Sequence, residues 1–199
     1  MGEPQTRRLA PEERKALLVA AAEETFADRG YTQAGLADVA TLAGVSKTLL
    51  YHYFPDGRPE LYREVMERLV GEVLAVVRDA VRVPTSDDQR LAGLVAALID
   101  WFGDHPDAYR LLVLEPWGSG DPAGVGQAMA VWARLASELN ALLAPAGAPL
   151  PVTMAAGAAT MGAVLHVCEL ALGGQVSRDE AVEVAQQFVG SGLAGLGLL

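Results

Sequence analysis

Residues 43–57 read AGVSKTLLYHYFPDG, and the fold turns on what this stretch becomes. Gly44 suits a tight turn, Ser46 suits a helix N-cap, and Pro55 stops whatever helix lies between. Residues 46–54 therefore predict a short helix. On the helical period Leu50 and Phe54 stand i, i+4 and share a face with the turn residue Val45, which predicts the inward side. Lys47, Thr48 and Tyr51 fall on the opposite side, flanked by His52 and Tyr53. A buried helix would carry plain hydrocarbon there, and a merely solvated one would carry Glu and Lys. One cation with hydroxyls and rings suits a DNA groove, because hydroxyls and an ammonium reach phosphates while ring edges meet thymine methyls. The alternative is amphipathic surface packing by the tyrosines.

Working upstream, Pro11 to about Arg29 reads as a helix: a proline at its start, Glu12 and Glu13 at its positive end, and Gly30 as its stop. Leu18, Ala22 and Phe26 recur every four residues along it. A second, short helix covers about Leu36–Ala43, with Leu36, Val39, Ala40 and Ala43 at i, i+3, i+4, i+7 spacing. Three short helices with a glycine turn before the third match a helix-turn-helix.

Downstream, a long helix is expected from about Pro59 to Arg82. Ser86-Asp-Asp-Gln89 is a capping-box pattern and opens a fifth helix. Pro106 opens a short sixth that stops near Pro116, and Asp121-Pro122 opens a seventh running to about Ala144. An eighth is expected over about Val152–Leu172. Ser177-Arg-Asp-Glu180, a second capping box, starts a ninth, which the glycines at 190, 192, 195 and 197 should fray. The reading is all-α, about nine helices and no strand. It divides into a helix-turn-helix domain over residues 1–58 and a helical domain over 59–199.

The chain of 199 residues is half hydrophobic, and its net charge of −10 argues at first against a nucleic-acid partner. The distribution answers that objection. Residues 1–58 hold 7 of the 15 basic and 8 of the 25 acidic side chains, a net of −1, whereas residues 59–199 carry −9. Both lysines, Lys15 and Lys47, lie in the first segment, and phosphate contact needs only a local basic rim. The lone Cys168 excludes an internal disulfide and suits a reducing cytoplasm. The polar N-terminus predicts no signal peptide, and the apolar run at 150–168 reads as too short and too weakly apolar to span a bilayer. A cytoplasmic protein without membrane attachment is expected.

The stretch ETFADRGYTQAGLADVATLAGVSKTLLYHYFPDGRPELYREV resembles the DNA-binding region of TetR-type transcriptional regulators, whose usual run is similar to GVSKGTLYHYF. The resemblance covers about residues 9–65. It implies that Tyr51 and Tyr53 touch DNA, that Ser46, Lys47 and Thr48 open the recognition helix, and that His52 fills a variable position. Three departures stand out. Thr48 replaces a usual Gly and Leu49 a small or hydroxylated residue. Ala37 lies where many relatives carry a polar base-reading side chain. The family's lysine at the start of the fourth helix is absent, and Arg58 either takes its phosphate role or is a loose exposed arginine. The implied partner is a double-stranded, palindromic operator.

In the larger part, Trp101, Phe102, Tyr109, Trp117, Met129 and Trp132 gather all three tryptophans within about thirty residues. Such a lining suits an apolar small-molecule effector, although ordinary core would use the same residues. The resemblance favours a ligand cavity among helices four to eight. His166 and Glu169, i and i+3, are candidate polar handles; too few to hold a metal. Small residues at 155–159 and 162 let another helix approach, with Leu165, Val167, Leu172, Val182, Val184 and Phe188 adding apolar area. Helices eight and nine are therefore expected to pair with their copies in a homodimer. No metal, cofactor or catalytic motif is expected, so the chain reads as a ligand-released repressor and not an enzyme. The other function class it fits is an acidic helical adaptor that binds protein and not DNA.

Overall fold

The computed structural model describes residues 10–82, 86–114 and 149–197, with a few isolated positions between 126 and 137. Among them it has eight α-helices, one π-helical segment and no strand. They are α1 (Pro11–Gln33), α2 (Leu36–Leu42), α3 (Lys47–Tyr53), α4 (Arg58–Val81), α5 (Asp87–Asp104), α6 (Pro106–Tyr109), α7 (Leu150–Leu172) and α8 (Arg178–Gly195). The all-α class stands as read. The expected count of nine differs because the helix anticipated over 121–144 lies almost wholly outside the described residues. The eighth and ninth helices of the sequence reading are α7 and α8.

Local chemistry sets the boundaries. Gly30 takes φ +73° and breaks the direction of α1 where a stop was expected, and one further turn, Tyr31–Gln33, follows the kink. Ala43 ends α2 and Gly44 follows at φ +65°. The Val45 N–H donates to the Ala40 carbonyl at 2.9 Å and the Gly44 N–H to Thr41 at 3.1 Å, a closure that uses up the last carbonyls of α2. Both serine caps exist. Ser86 Oγ accepts from the Gln89 N–H at 3.4 Å, and Ser177 with Glu180 forms the full reciprocal box. The sixth helix is shorter than its pattern suggested: after Tyr109 the chain widens into a π-helical turn, Arg110–Leu114.

One continuous core runs through the molecule. Leu18, Ala22 and Phe26 of α1 meet Leu61, Tyr62 and Val65 of α4, and Val39, Leu50 and Phe54 complete the head. Rings of Phe26, Tyr31 and Tyr62 interlock, Tyr31 and Tyr62 at 4.8 Å between centroids. Lys15 pairs with Glu64 at 2.6 Å, and Arg68 with Glu23, so charges also fasten α1 to α4. Beyond Leu69, α4 carries Val73, Leu74 and Val77 into the body, against α5. There α5 packs on α7 and α8, joined by a two-pronged bond from Arg178 to Asp100 at 2.5 and 2.6 Å.

Helix α7 corrects one expectation. It is 23 residues long with a mean hydropathy of 1.5 over its most apolar window, enough by length and composition to cross a membrane. The uncharged apolar run ends at Cys168, but four further residues, to Leu172, continue the helix. Helix α8 likewise continues through Gly190 and Gly192 as far as Gly195, past where fraying was expected. Ala181, Ala185, Val189 and Gly190 are buried along it, so tertiary packing offsets the poor helix propensity of glycine.

Candidate nucleic-acid interface and the aromatic body

Ser46 holds the start of α3 by accepting the Leu49 N–H on its hydroxyl at 3.2 Å. Leu50 and Phe54 are fully buried and Val45 half-buried against the core. That anchorage turns Lys47, Thr48 and Tyr51 outward: all three are exposed, Tyr51 by 42 %. Lys47 Nζ lies 5.9 Å from the Tyr51 ring centre, so cation and phenol form one patch. His52 is exposed and stands edge-on to the Tyr53 ring at 5.6 Å. Leu49 and Tyr53 are half-buried, and Tyr53 packs partly on the core. Ala37 is exposed on α2 beside Thr41, whose hydroxyl donates to the Ala37 carbonyl at 2.8 Å.

Two features of this face were not read from the sequence. Gly57 has φ +72°, and a Cβ there would meet Leu36 Cδ1 at 3.3 Å and the Tyr51 ring at 3.5 Å. The glycine thus gives Tyr51 its seat, a contact that needs the chain after α3 to fold back. Arg58 is half-buried: it donates to the Thr32 carbonyl at 2.9 Å and lies 5.8 Å over the Tyr31 ring, while its Nε is buried with no partner among the described residues. Of the two roles left open for it, the loose exposed arginine is gone. Its visible work is to join α4 to the end of α1.

In the body, Phe102 and Tyr109 are buried edge to face at 5.3 Å, and Trp101 is half-buried, 5.1 Å from Phe102. Trp101 also stacks on His105 at 4.7 Å, whose ring nitrogen is 2.8 Å from the Trp101 carbonyl. The Tyr109 hydroxyl is buried and has no hydrogen-bond partner among the described residues; burial, with the charge of Glu169, pushes its phenol up to about 12. Trp117 and Trp132 lie outside the described residues. Met129 is 46 % exposed and does not join the buried rings. His166 and Glu169 are exposed on the α7 face that carries Ala155, Ala159 and Gly162, opposite buried Val164 and Cys168. Helical phase turns His166 away from the rings it was expected to serve, whereas the charge of Glu169 still reaches the Tyr109 phenol. Among the described residues, no group of three or more His, Cys, Asp or Glu side chains could hold a metal ion.

An all-α fold with a helix-turn-helix head on an aromatic helical body defines the class. Residues 18–65 match the family described as bacterial regulatory proteins, tetR family. The transcriptional activator FasR of Mycolicibacterium smegmatis is 42 % identical over 105 residues, which cover 53 % of this chain and 48 % of that protein. The chain thus spans about half the length of the curated relatives it matches. Among solved structures, a TetR-like regulator from Rhodococcus sp. RHA1 superposes with TM-score 0.73 at 23 % identity, over 94 % of this chain and all of that one. FadR of Bacillus subtilis, solved with stearoyl-CoA, gives 0.71 at 14 % identity, over 87 % and 96 %. The head thus matches the tetR family model over residues 18–65, and the fold is similar to that of the TetR-like regulator from Rhodococcus.

Proposed function

We propose that the protein is a homodimeric, effector-responsive regulator that docks α3 in the major groove of a palindromic operator. The supporting observation is the polarity of α3. Leu50 and Phe54 are locked into the core while Lys47, Thr48 and Tyr51 stand free on the other side. Residues up to 58 form the DNA-binding head, and 59–199 the effector and dimerisation body. Ser46, Lys47, Tyr51, His52 and Tyr53 meet the backbone and groove floor; Thr48, Leu49 and Ala37 tune base preference; Arg58 sits at the margin.

Apolar effector binding among Trp101, Phe102 and Tyr109 shifts α4, which belongs to both cores, and changes the spacing of the two heads. Such coupling is typically about 1–3 kcal/mol and requires tighter effector binding by the DNA-free form. Repression by operator occupancy is the primary reading. Activation is the second, favoured by the 42 % identity to a relative named as an activator; a reporter promoter read with and without the protein separates the two.

The experiment is operator selection from a randomised duplex library, followed by gel shifts. Lys47→Ala weakens binding to every duplex and lowers the salt slope by about 1. Thr48→Ala changes which sequences win, each lost base contact costing about 1–3 kcal/mol. If both variants bind like wild type, α3 is not the reading helix. Binding to no duplex at any salt would favour the adaptor.

A further inference from the structure

We propose that the Tyr109 hydroxyl is the polar anchor of the effector site, donating its hydrogen bond to an uncharged carbonyl or ether oxygen on an otherwise apolar ligand. This rests on the effector-pocket reading above and narrows it to a ligand class. Tyr109 is 6 % exposed, yet its hydroxyl meets no acceptor among the described residues. Buried hydroxyls are almost always bonded, and leaving one unmade is costly, so an unpartnered one marks a place completed from outside. The described neighbours are chiefly apolar, with Phe102 edge-on, Trp101 beyond it and fully buried Cys168, and the charge of Glu169 is felt from one side. The phenol stays neutral and therefore a donor, while the negative field of Glu169 disfavours an anionic head at that point.

The backbone agrees with this placement. Tyr109 is the last residue of α6, and the π-helical turn begins at Arg110. Single π turns inside helices recur at functional sites, because the extra residue re-aims the side chains on either side. Here they diverge: Tyr109 points into the body, and Arg110 lines a groove of about 450 Å³ against Glu24 and Asp28 of α1 and Asp38 of α2. A ligand held by Tyr109 is therefore one residue from the contact between body and head.

Three probes of similar length test the inference on the full-length protein, by intrinsic tryptophan emission: 2-octanone, 1-octene and octanoate. Wild type should bind the ketone more tightly than either of the others. Tyr109→Phe should weaken the ketone about 5–10-fold, leave the alkene unchanged, and melt at the same temperature as wild type or higher, because it deletes an unpaired buried hydroxyl. Equal ketone affinity in both proteins overturns the anchor and leaves the pocket standing. Failure of all three probes to bind defeats the pocket reading and the anchor with it. Octanoate binding tightest, and losing that affinity in Tyr109→Phe, would overturn the uncharged class. A clear drop in the melting temperature of the variant would show that the hydroxyl has a partner inside the protein.

Discussion

Cys168 and Leu50 show how far one side chain's surroundings decide its role. The Cys168 thiol is fully buried on α7, and burial pushes it up to about 12. At pH 8 almost none of it is thiolate, so it behaves as a small hydrophobe. Native protein should resist maleimide at that pH and label promptly in denaturant; rapid native labelling would place the thiol at the surface. Leu50, also fully buried, holds α3 in place. Leu50→Ala should cost about 2–5 kcal/mol, read as a loss in urea midpoint, with operator binding falling only through the unfolded fraction. Tyr53 belongs to both worlds, half-buried against the core and beside His52. Tyr53→Phe tests its hydroxyl at little cost in stability, whereas Tyr53→Ala would confound DNA contact with lost packing.

At the level of elements, the ends of helices were the most legible part of the sequence. Ser46, Ser86 and Ser177 each cap as their patterns required, because capping depends on four consecutive residues and on nothing distant. The same locality explains why the exposed face of α3 could be read from nine residues. What sequence could not show were contacts made by folding back: Gly57 beneath Tyr51, Arg58 drawn onto Tyr31, and Arg178 reaching Asp100 across 78 positions. The π turn was also invisible, since Arg110–Leu114 has a composition any helix tolerates. The Arg178–Asp100 link gives the clearest dependence on pH. Hydrogen bonds from Arg178 hold the Asp100 carboxyl below its usual range. Its folded pKa is lowered, so its contribution is present above the unfolded value near 4 and is lost as pH falls through the folded one. Both side chains are about half exposed, so Arg178→Ala should cost under about 1 kcal/mol at pH 7 and less at pH 3. A variant equally destabilised at both pH values would mean that the loss is packing and not charge.

For the whole molecule, the unresolved question in the sequence was what faces α7 and α8, and their outer surface argues for a second copy of the chain. Phe188 is 72 % and Val184 56 % exposed, one turn apart on α8, while Ala155, Ala159 and Gly162 leave the outer side of α7 nearly flat. A monomer gains nothing from such a surface in water, and small residues let a twofold-related helix come close. A bilayer is the other apolar partner that the length of α7 permits. His166 and Glu169 stand on that same exposed face, and an intramembrane carboxylate is expensive unless paired, which favours protein over lipid. Phe188→Glu would place a charge at the centre of the seam. Expected are a shift from dimer to monomer in sedimentation at micromolar concentration and unchanged helical content. Operator affinity should fall to that of a single half-site, because the two heads no longer bind as one unit. A variant that remains dimeric would move the seam elsewhere on the body. One that becomes monomeric yet binds the full operator undiminished would break the link between twofold symmetry and DNA recognition, even with α3 still in the groove.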